Sequence, residues 1–177
     1  LGACLYTYSK VEPLNIEIPL NYYLGNEFGE GEIIKVLKSK KYAINKTTSE
    51  EIALLLSKGF VIGFFQGKME FGPRALGNRS ILADPRNVRM KEIINSKIKF
   101  REDYRPFAPV ILEHRANKYF INCIYSPYMT MTFIATTDAI LNAPAIVHED
   151  KTARVQTVNK YQNENLYKII ENFEKIT

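Results

Sequence analysis

Apolar positions along this chain come in short runs whose spacing changes from one run to the next, and the changes predict the elements. Leu1 to Tyr8 is small and apolar and reads as the last turns of a helix; Pro13 to Gly31 is punctuated by Pro and Gly and reads as loop. Glu32 to Lys40 sets Ile33, Val36 and Leu37 on one helical face. Thr47 and Thr48, followed by Glu50 and Glu51, form two overlapping capping boxes for a helix through Leu56, which Gly59 ends. Phe60 to Phe65, FVIGFF, predicts a buried strand, and Arg79 to Ala83 a second strand after a glycine-containing loop. Asn87 is placed to cap a helix reaching about Ile98, with Met90, Ile93 and Ile94 inward. Phe107 to Leu112 is a third strand, assigned to an edge by Pro109. Glu113 to Phe120 reads as helix. Met129 to Thr136 and Thr152 to Val158 alternate as strands, the second with one polar face. Asn165 to Ile176 closes the chain as an amphipathic helix with Leu166, Ile169, Ile170 and Phe173 inward. Helices and strands mix without strict βαβ alternation, so the expected fold is α/β, a mixed twisted sheet with flanking helices.

Composition narrows the class. At 177 residues and 46% hydrophobic the chain is one domain, or one domain with a scrap of a neighbour. No stretch of 18 uncharged apolar residues exists, which excludes a transmembrane helix. Cys4 and Cys123 form no CxxC pair and read as reduced thiols of a cytoplasmic protein. With only His114 and His148, a zinc site built wholly from this chain is not expected.

Charge adds the candidate chemistry. Gly67 to Arg105 holds ten Lys or Arg against five Asp or Glu, an excess equal to the net charge of +5 of the whole chain. Arginine is an ionised planar fork that grips two phosphate oxygens at once, so this stretch suits polyanions; a solvated basic face competes with that reading. Three segments carry candidates. Gly72-Pro73-Arg74 and Gly77-Asn78-Arg79-Ser80 combine glycines with two arginines and a hydroxyl, and Lys68 lies just upstream. In KIKFREDYR, an extended backbone would send Lys99, Arg101 and Arg105 to one side, with Glu102 and Asp103 available for salt bridges. In HEDKTARVQ, Asp150, Thr152, Arg154 and Gln156 share one strand face. His148 there is a candidate phosphate donor or acid/base group, or a structural histidine.

Together these segments resemble a known family. FFQGKMEFGPRALGNRSILADPR, then KFREDYRPFAPVILE, SPYM and HEDKTARVQTV, resemble in order the C-terminal domain of the O-carbamoyltransferases of nodulation-factor and antibiotic carbamoylation. The resemblance implies a YrdC/Sua5-like fold and an activity: carbamoyl phosphate and ATP would give a carbamoyl adenylate and pyrophosphate. An N-terminal domain of the Kae1 type, which holds a metal, would then pass the carbamoyl group to an acceptor hydroxyl. Residues 1–10 would be the end of that N-terminal domain, and 11–177 the C-terminal domain cut short before an Asn-Thr-Ser-Phe-Asn strand. Carried over residue by residue, Lys68, Arg74, Arg79, Ser80, Lys99, Arg101, Arg105, Thr152 and Arg154 would bind the two substrates. Arg74, Arg79 and His148 would act in catalysis. Asp150 would hold Mg²⁺ or pair with Arg154. Lys151 stands where the family often has glycine.

Two other readings compete. One is a non-catalytic RNA- or nucleotide-binding module, suggested by the pI near 9.1, although the arginines sit among Gly and Pro rather than exposed aromatics. The other is a threonylcarbamoyl-adenylate synthase, whose own signatures are not evident. Under the carbamoyltransferase reading, Arg74, Arg79, Lys99, Arg101 and Arg154 should converge on one concave site, with no membrane or nucleic-acid partner.

Overall fold

A computed structural model describes residues 2–13 and 22–177. Residues 14–21 of the predicted 13–31 loop therefore lie outside the described residues. Helices α1 (Gly2–Ser9) and α2 (Glu30–Ser39) form where expected, yet neither buries a residue; Val36 is exposed. Helix α3 (Ser49–Ser57) is started by one of the two capping boxes. The Thr48 hydroxyl accepts from the Glu51 amide at 3.3 Å while the Glu51 carboxylate accepts from the Thr48 amide at 3.1 Å. Gly59 follows the helix at φ +87°, a left-handed stop.

Strand β1 (Ile62–Phe65) pairs antiparallel with β2 (Arg79–Leu82), Phe65 opposite Arg79. The expectation of a buried strand is corrected. Only the Ile62 and Phe64 side of β1 faces inward, and Phe65 remains 52% exposed. After β2, helix α4 (Met90–Ile94) is shorter than predicted and runs into a π-helical turn, Asn95–Lys99. Asn87 does not cap it. The Asn87 side chain accepts from the Arg89 amide at 3.0 Å in a turn that precedes the helix.

Strand β3 (Val110–Leu112) leads through a 3₁₀ turn (Glu113–Arg115) into α5 (Ala116–Tyr119). Strand β4 is reduced to Phe133–Ile134, and α6 (Thr137–Asn142), which the periodicity did not reveal, is capped by the Thr136 hydroxyl. The single strand expected from Thr152 to Val158 is two. Strand β5 (Thr152–Ala153) pairs antiparallel with β4; β6 (Gln156–Val158) pairs parallel with β3. Arg154 and Val155 sit where the chain changes partner. The polar face expected there is also corrected, since Gln156 and Thr157 are buried. Helix α7 (Glu164–Ile176) packs on α3 and is capped by Asn163, whose side chain accepts from the Leu166 amide at 3.1 Å.

The chain is thus mixed α/β, but among the described residues the strands form three two-stranded ladders rather than one sheet. Three apolar clusters stand between them. Leu112, Val158 and Leu166 pack with Phe64, Leu82 and Ile170. Phe120 and Cys123 pack with small residues of α5, α6 and β5. Met90 and Ile94 pack with Ala145 and Phe107. No helix among the described residues is long and apolar enough to cross a membrane.

Gly77 shows how tightly α7 closes on the loop after β1. Its φ is +109°, and a Cβ there would overlap Leu166 Cδ2 and approach Asn163 Nδ2 to 3.2 Å. Gly77→Ala should therefore lower stability by about 1–3 kcal/mol, through a strained backbone and an overpacked contact. Gly31→Ala, inside α2 with nothing within 4 Å, should be neutral or raise stability by about 0.5–1 kcal/mol. Urea unfolding midpoints of the two variants check the contrast.

Candidate functional site

The loop between β1 and β2 is folded around one carboxylate. Glu70 is buried, and its Oε1 accepts from the amides of Leu76 at 2.8 Å, Asn78 at 2.7 Å and Arg79 at 3.1 Å. Burial works to raise its pKa, but these backbone bonds outweigh it and hold the carboxyl below its ordinary value. Uncharged groups lock the same loop from outside. Gln156 Nε2 and the Tyr23 hydroxyl each donate to the Leu76 carbonyl at 2.9 Å. Asn163 Nδ2 donates to Asn78 Oδ1 at 2.9 Å, and Gln66 Nε2 donates to Asn163 Oδ1 at 3.0 Å. The loop is pinned to β6 and to the start of α7, leaving Gly72, Pro73 and Arg74 exposed at its tip.

Arg74 and Arg154 meet at a cavity of about 430 Å³, walled by Tyr22, Phe71, Tyr128, Met129 and Thr130 among others. Burial, and then the charge of Arg74, lower the Arg154 pKa from its ordinary value. Its buried Nε has no hydrogen-bond partner among the described residues. Two like charges lining one cavity, with no carboxylate in its lining among the described residues, make a site whose electrostatics favour an anion. The Tyr22 and Tyr128 rings stack on its wall, centroids 4.2 Å apart and 13° from parallel. Burial first, and then the neighbouring Tyr125, push the Tyr128 phenol up to about 12, so it keeps its proton at any working pH. Met129 holds φ +52°, a left-handed backbone that a non-glycine residue adopts only under constraint.

The other candidates are placed elsewhere. The Arg79 guanidinium lies over the Phe65 ring at 3.7 Å and donates to the carbonyls of Gln66, Gly67 and Asn78. Its donors close the loop instead of facing the cavity. Ser80 Oγ accepts from the Gly77 amide at 3.0 Å. Lys68 is exposed, and its carbonyl accepts from Asn78. The expected one-sided row of Lys99, Arg101 and Arg105 does not form. The backbone there is a π-helical turn followed by Phe100 at φ +48°, so strand alternation does not apply. Arg101 Nε donates to buried Asn95 Oδ1 at 2.7 Å, and Arg105 pairs with Glu102 at 2.9 Å. Of the five cations expected to converge, the cavity brings together Arg74 and Arg154, and the other three do not line it.

His148, Asp150 and Thr152 share a tight turn. Thr152 donates to Asp150 Oδ1 from its hydroxyl at 2.7 Å and from its amide at 3.0 Å, and His148 Nδ1 lies 3.2 Å from the Thr152 hydroxyl. Asp150 is therefore bonded within its own turn rather than to Arg154. No group of three or more His, Cys, Asp or Glu able to hold a metal ion exists among the described residues. Sequence reasoning missed Glu70, which lies inside the quoted motif but has no polar periodicity to mark it. It also missed Tyr22 and Tyr128, because stacking across more than a hundred positions leaves no local pattern.

A family model described as Carbamoyltransferase C-terminus matches residues 53–177. An uncharacterised protein of Synechocystis is 38% identical over 88% of this chain and 29% of its own length. Nodulation protein NolO of Bradyrhizobium diazoefficiens is 38% identical over the whole chain and 34% of its own length. Nodulation protein U of Sinorhizobium fredii is 39% identical over 72% of the chain and 23% of its own length. The chain thus spans about a third or less of the curated relatives it matches.

The Glu70 cradle sets an acid limit. Its native pKa lies below the ordinary 4.5, so on acidification the unfolded chain takes up this proton first. The stability it supplies is complete above about pH 4.5 and is withdrawn as pH falls through the native value. Glu70→Gln should cost about 1–3 kcal/mol at neutral pH and flatten the loss of stability below pH ~4.5 relative to the parent. Denaturant titrations across the acid range, compared pairwise, measure that difference.

Proposed function

The chain belongs to the Carbamoyltransferase C-terminus family, and on that premise we propose that it is the carbamoyl-activating part of an ATP-dependent O-carbamoyltransferase with a YrdC-like fold. One observation carries the reading. Arg74 and Arg154, whose buried Nε has no partner among the described residues, line the same cavity, and both proposed substrates present phosphate groups to such a pair.

The chemistry asks mainly for positioning and charge. For carbamoyl adenylate and pyrophosphate to form, carbamoyl phosphate gives up its phosphoryl group to water as inorganic phosphate. A carbamate oxygen then bonds to the α-phosphorus of ATP as the bond to pyrophosphate breaks. Both steps move negative charge between phosphate oxygens, and fixed guanidinium groups in a partly dry cavity offset it without reorganising. Arg74 is carried at the exposed tip of the pinned loop, and Arg154, half-buried, at the change of strand partner. Tyr128 keeps its proton and serves as cavity wall rather than base. Magnesium would enter with the nucleotide, since Asp150 supplies a single carboxylate. Transfer to an acceptor hydroxyl would fall to the Kae1-like remainder of a longer polypeptide, in keeping with relatives about three times as long.

A second reading, binding of single-stranded nucleic acid, is favoured by one observation. Phe100 is 82% and Tyr104 70% exposed beside Lys97, Lys99 and Arg105, a basic surface with stacking rings.

In a polypeptide that includes this chain, ATP–pyrophosphate exchange should depend on carbamoyl phosphate. Exchange that proceeds equally without carbamoyl phosphate, or none at all, would sink the assignment. Arg74→Ala and Arg154→Ala should weaken carbamoyl phosphate binding about 10- to 100-fold by calorimetry while the circular dichroism stays unchanged. For the second reading, binding of a short unstructured RNA should fall steeply with salt and weaken at least about tenfold in Phe100→Ala. Binding that ignores both changes removes that reading.

A further inference from the structure

Ser126 fastens one wall of the cavity to the stretch of chain that carries Arg154. The amide of this buried residue donates to Thr157 Oγ1 at 2.8 Å, and its hydroxyl donates to the Val155 carbonyl at 3.1 Å. Its carbonyl accepts from the Thr157 amide at 2.9 Å. Val155 follows Arg154 directly, so these bonds tie the two segments together beside the guanidinium-bearing residue. Pro127, also buried, fixes its own φ, and the Tyr128 ring stacks on Tyr22. The chain then turns through Met129 at φ +52° and brings Thr130 into the lining shared with Arg74 and Arg154.

Two features of this wall are unexplained by the fold alone. A left-handed backbone at a non-glycine residue costs free energy and persists only where the surroundings impose it. Lys41 and Lys151 adopt it while closing turns, their amides donating to the carbonyls of Lys38 and His148, each at 3.0 Å. Met129 adopts it in the lining of a cavity that holds two arginines. The donors of Thr130 are also unspent. Thr136 and Thr152 commit their hydroxyls inside the fold, to the Lys118 carbonyl at 2.9 Å and to Asp150 at 2.7 Å. The hydroxyl and amide of Thr130 donate to no group among the described residues. A phosphoryl group carries three strong acceptor oxygens, and a threonine hydroxyl with its own amide is a donor pair suited to such oxygens.

We propose that Thr130 is a further binding residue of the cavity, donating from its hydroxyl and its amide to the phosphoryl oxygens of the group held by Arg74 and Arg154. Ser126 and Met129 are its positioning residues. This rests on the reading of the Arg74–Arg154 site as one for carbamoyl phosphate, and it divides the labour there. The guanidinium groups supply charge, and Thr130 supplies short, directional, uncharged donors that recognise the phosphoryl end of the ligand.

The test uses a polypeptide that includes this chain, with carbamoyl phosphate and inorganic phosphate as separate probes, because both carry the phosphoryl oxygens. By calorimetry, Thr130→Val should weaken both about tenfold or more and by the same factor, while Thr130→Ser stays within about threefold of the parent. Valine leaves the charge unchanged, so the salt dependence of binding should persist in Thr130→Val and shrink in Arg74→Ala. The urea midpoint of Thr130→Val should match that of the parent; a lowered midpoint assigns the hydroxyl to the fold and overturns the proposal. A loss confined to carbamoyl phosphate places Thr130 at the carbamoyl end and overturns it too, as does a Thr130→Ser variant no tighter than Thr130→Val. In protein labelled with ¹⁵N-threonine, the Thr130 amide, assigned by its absence in Thr130→Val, should shift with either probe. If Arg74→Ala weakens binding while Thr130→Val does not and the Thr130 amide stays still, the proposal falls and the site reading stands. If the parent binds neither probe, the site reading fails, and the role of Thr130 fails with it.

Discussion

Three amides on one carboxylate oxygen hold the centre of this structure. The chain leaves β1 at Phe65, makes a thirteen-residue excursion to Asn78, and must return in register for Arg79 to pair with Phe65. A loop of that length would carry unpaired backbone donors into the interior unless something collected them. Glu70 collects those of Leu76, Asn78 and Arg79 from within the loop itself. The cost of burying a carboxylate is offset by three charge-assisted bonds, which is why its pKa falls although burial alone would raise it. The turn this creates needs Gly77 at a left-handed φ, and that turn is what Leu166 of α7 packs against. Register of the hairpin, closure of the loop and docking of the last helix are one constraint.

Rigid closure of the loop is what lets two arginines share a cavity. Like charges separate when either is free to move. Arg154 is anchored because the chain changes partner at that residue, from β4 on one side to β3 on the other, with buried Ala153 and Val155 flanking it. Arg74 is carried to the same cavity by a loop pinned through Gln156, the residue two places after Arg154. The two cations are thus held by neighbouring parts of one network, and no carboxylate lines the cavity among the described residues. An acidic partner near Arg154 would have stabilised the apo protein and cancelled the positive potential in the cavity.

Much of this was legible in the sequence where the signal is local. The Thr48–Glu51 box, Gly59, the two strands of the hairpin and the amphipathic spacing of α7 all appear within a few residues of where the sequence placed them. Strand lengths were not legible, because Met129–Thr136 and Thr152–Val158 alternate over more residues than their partners can pair. Of the candidate cations, sequence could identify Arg74 and Arg154 but could not tell them from Arg79. What separates Arg79 from Arg154 is that Arg79 donates to backbone carbonyls, whereas the buried Arg154 Nε has no partner among the described residues. The row at Lys99, Arg101 and Arg105 failed for a different reason. Fully buried Asn95 binds the carbonyls of Asp103 and Arg105 as well as Arg101, and this curls the segment out of the extended form on which alternation depends.

Lys151 joins the local and the long-range arguments. Lysine gains nothing from a left-handed backbone, yet Lys151 adopts φ +61° because the turn from His148 to Thr152 closes only that way. That conformation is the one glycine enters freely, which accounts physically for the glycine common at this place in the resembling family. Strain at Lys151 is held by the bonds on either side of it: Asp150 to Thr152, and His148 to Thr152 through both backbone and side chain. The turn closes directly before β5, the strand that leads to Arg154, so the strained backbone at Lys151 fixes where that strand begins.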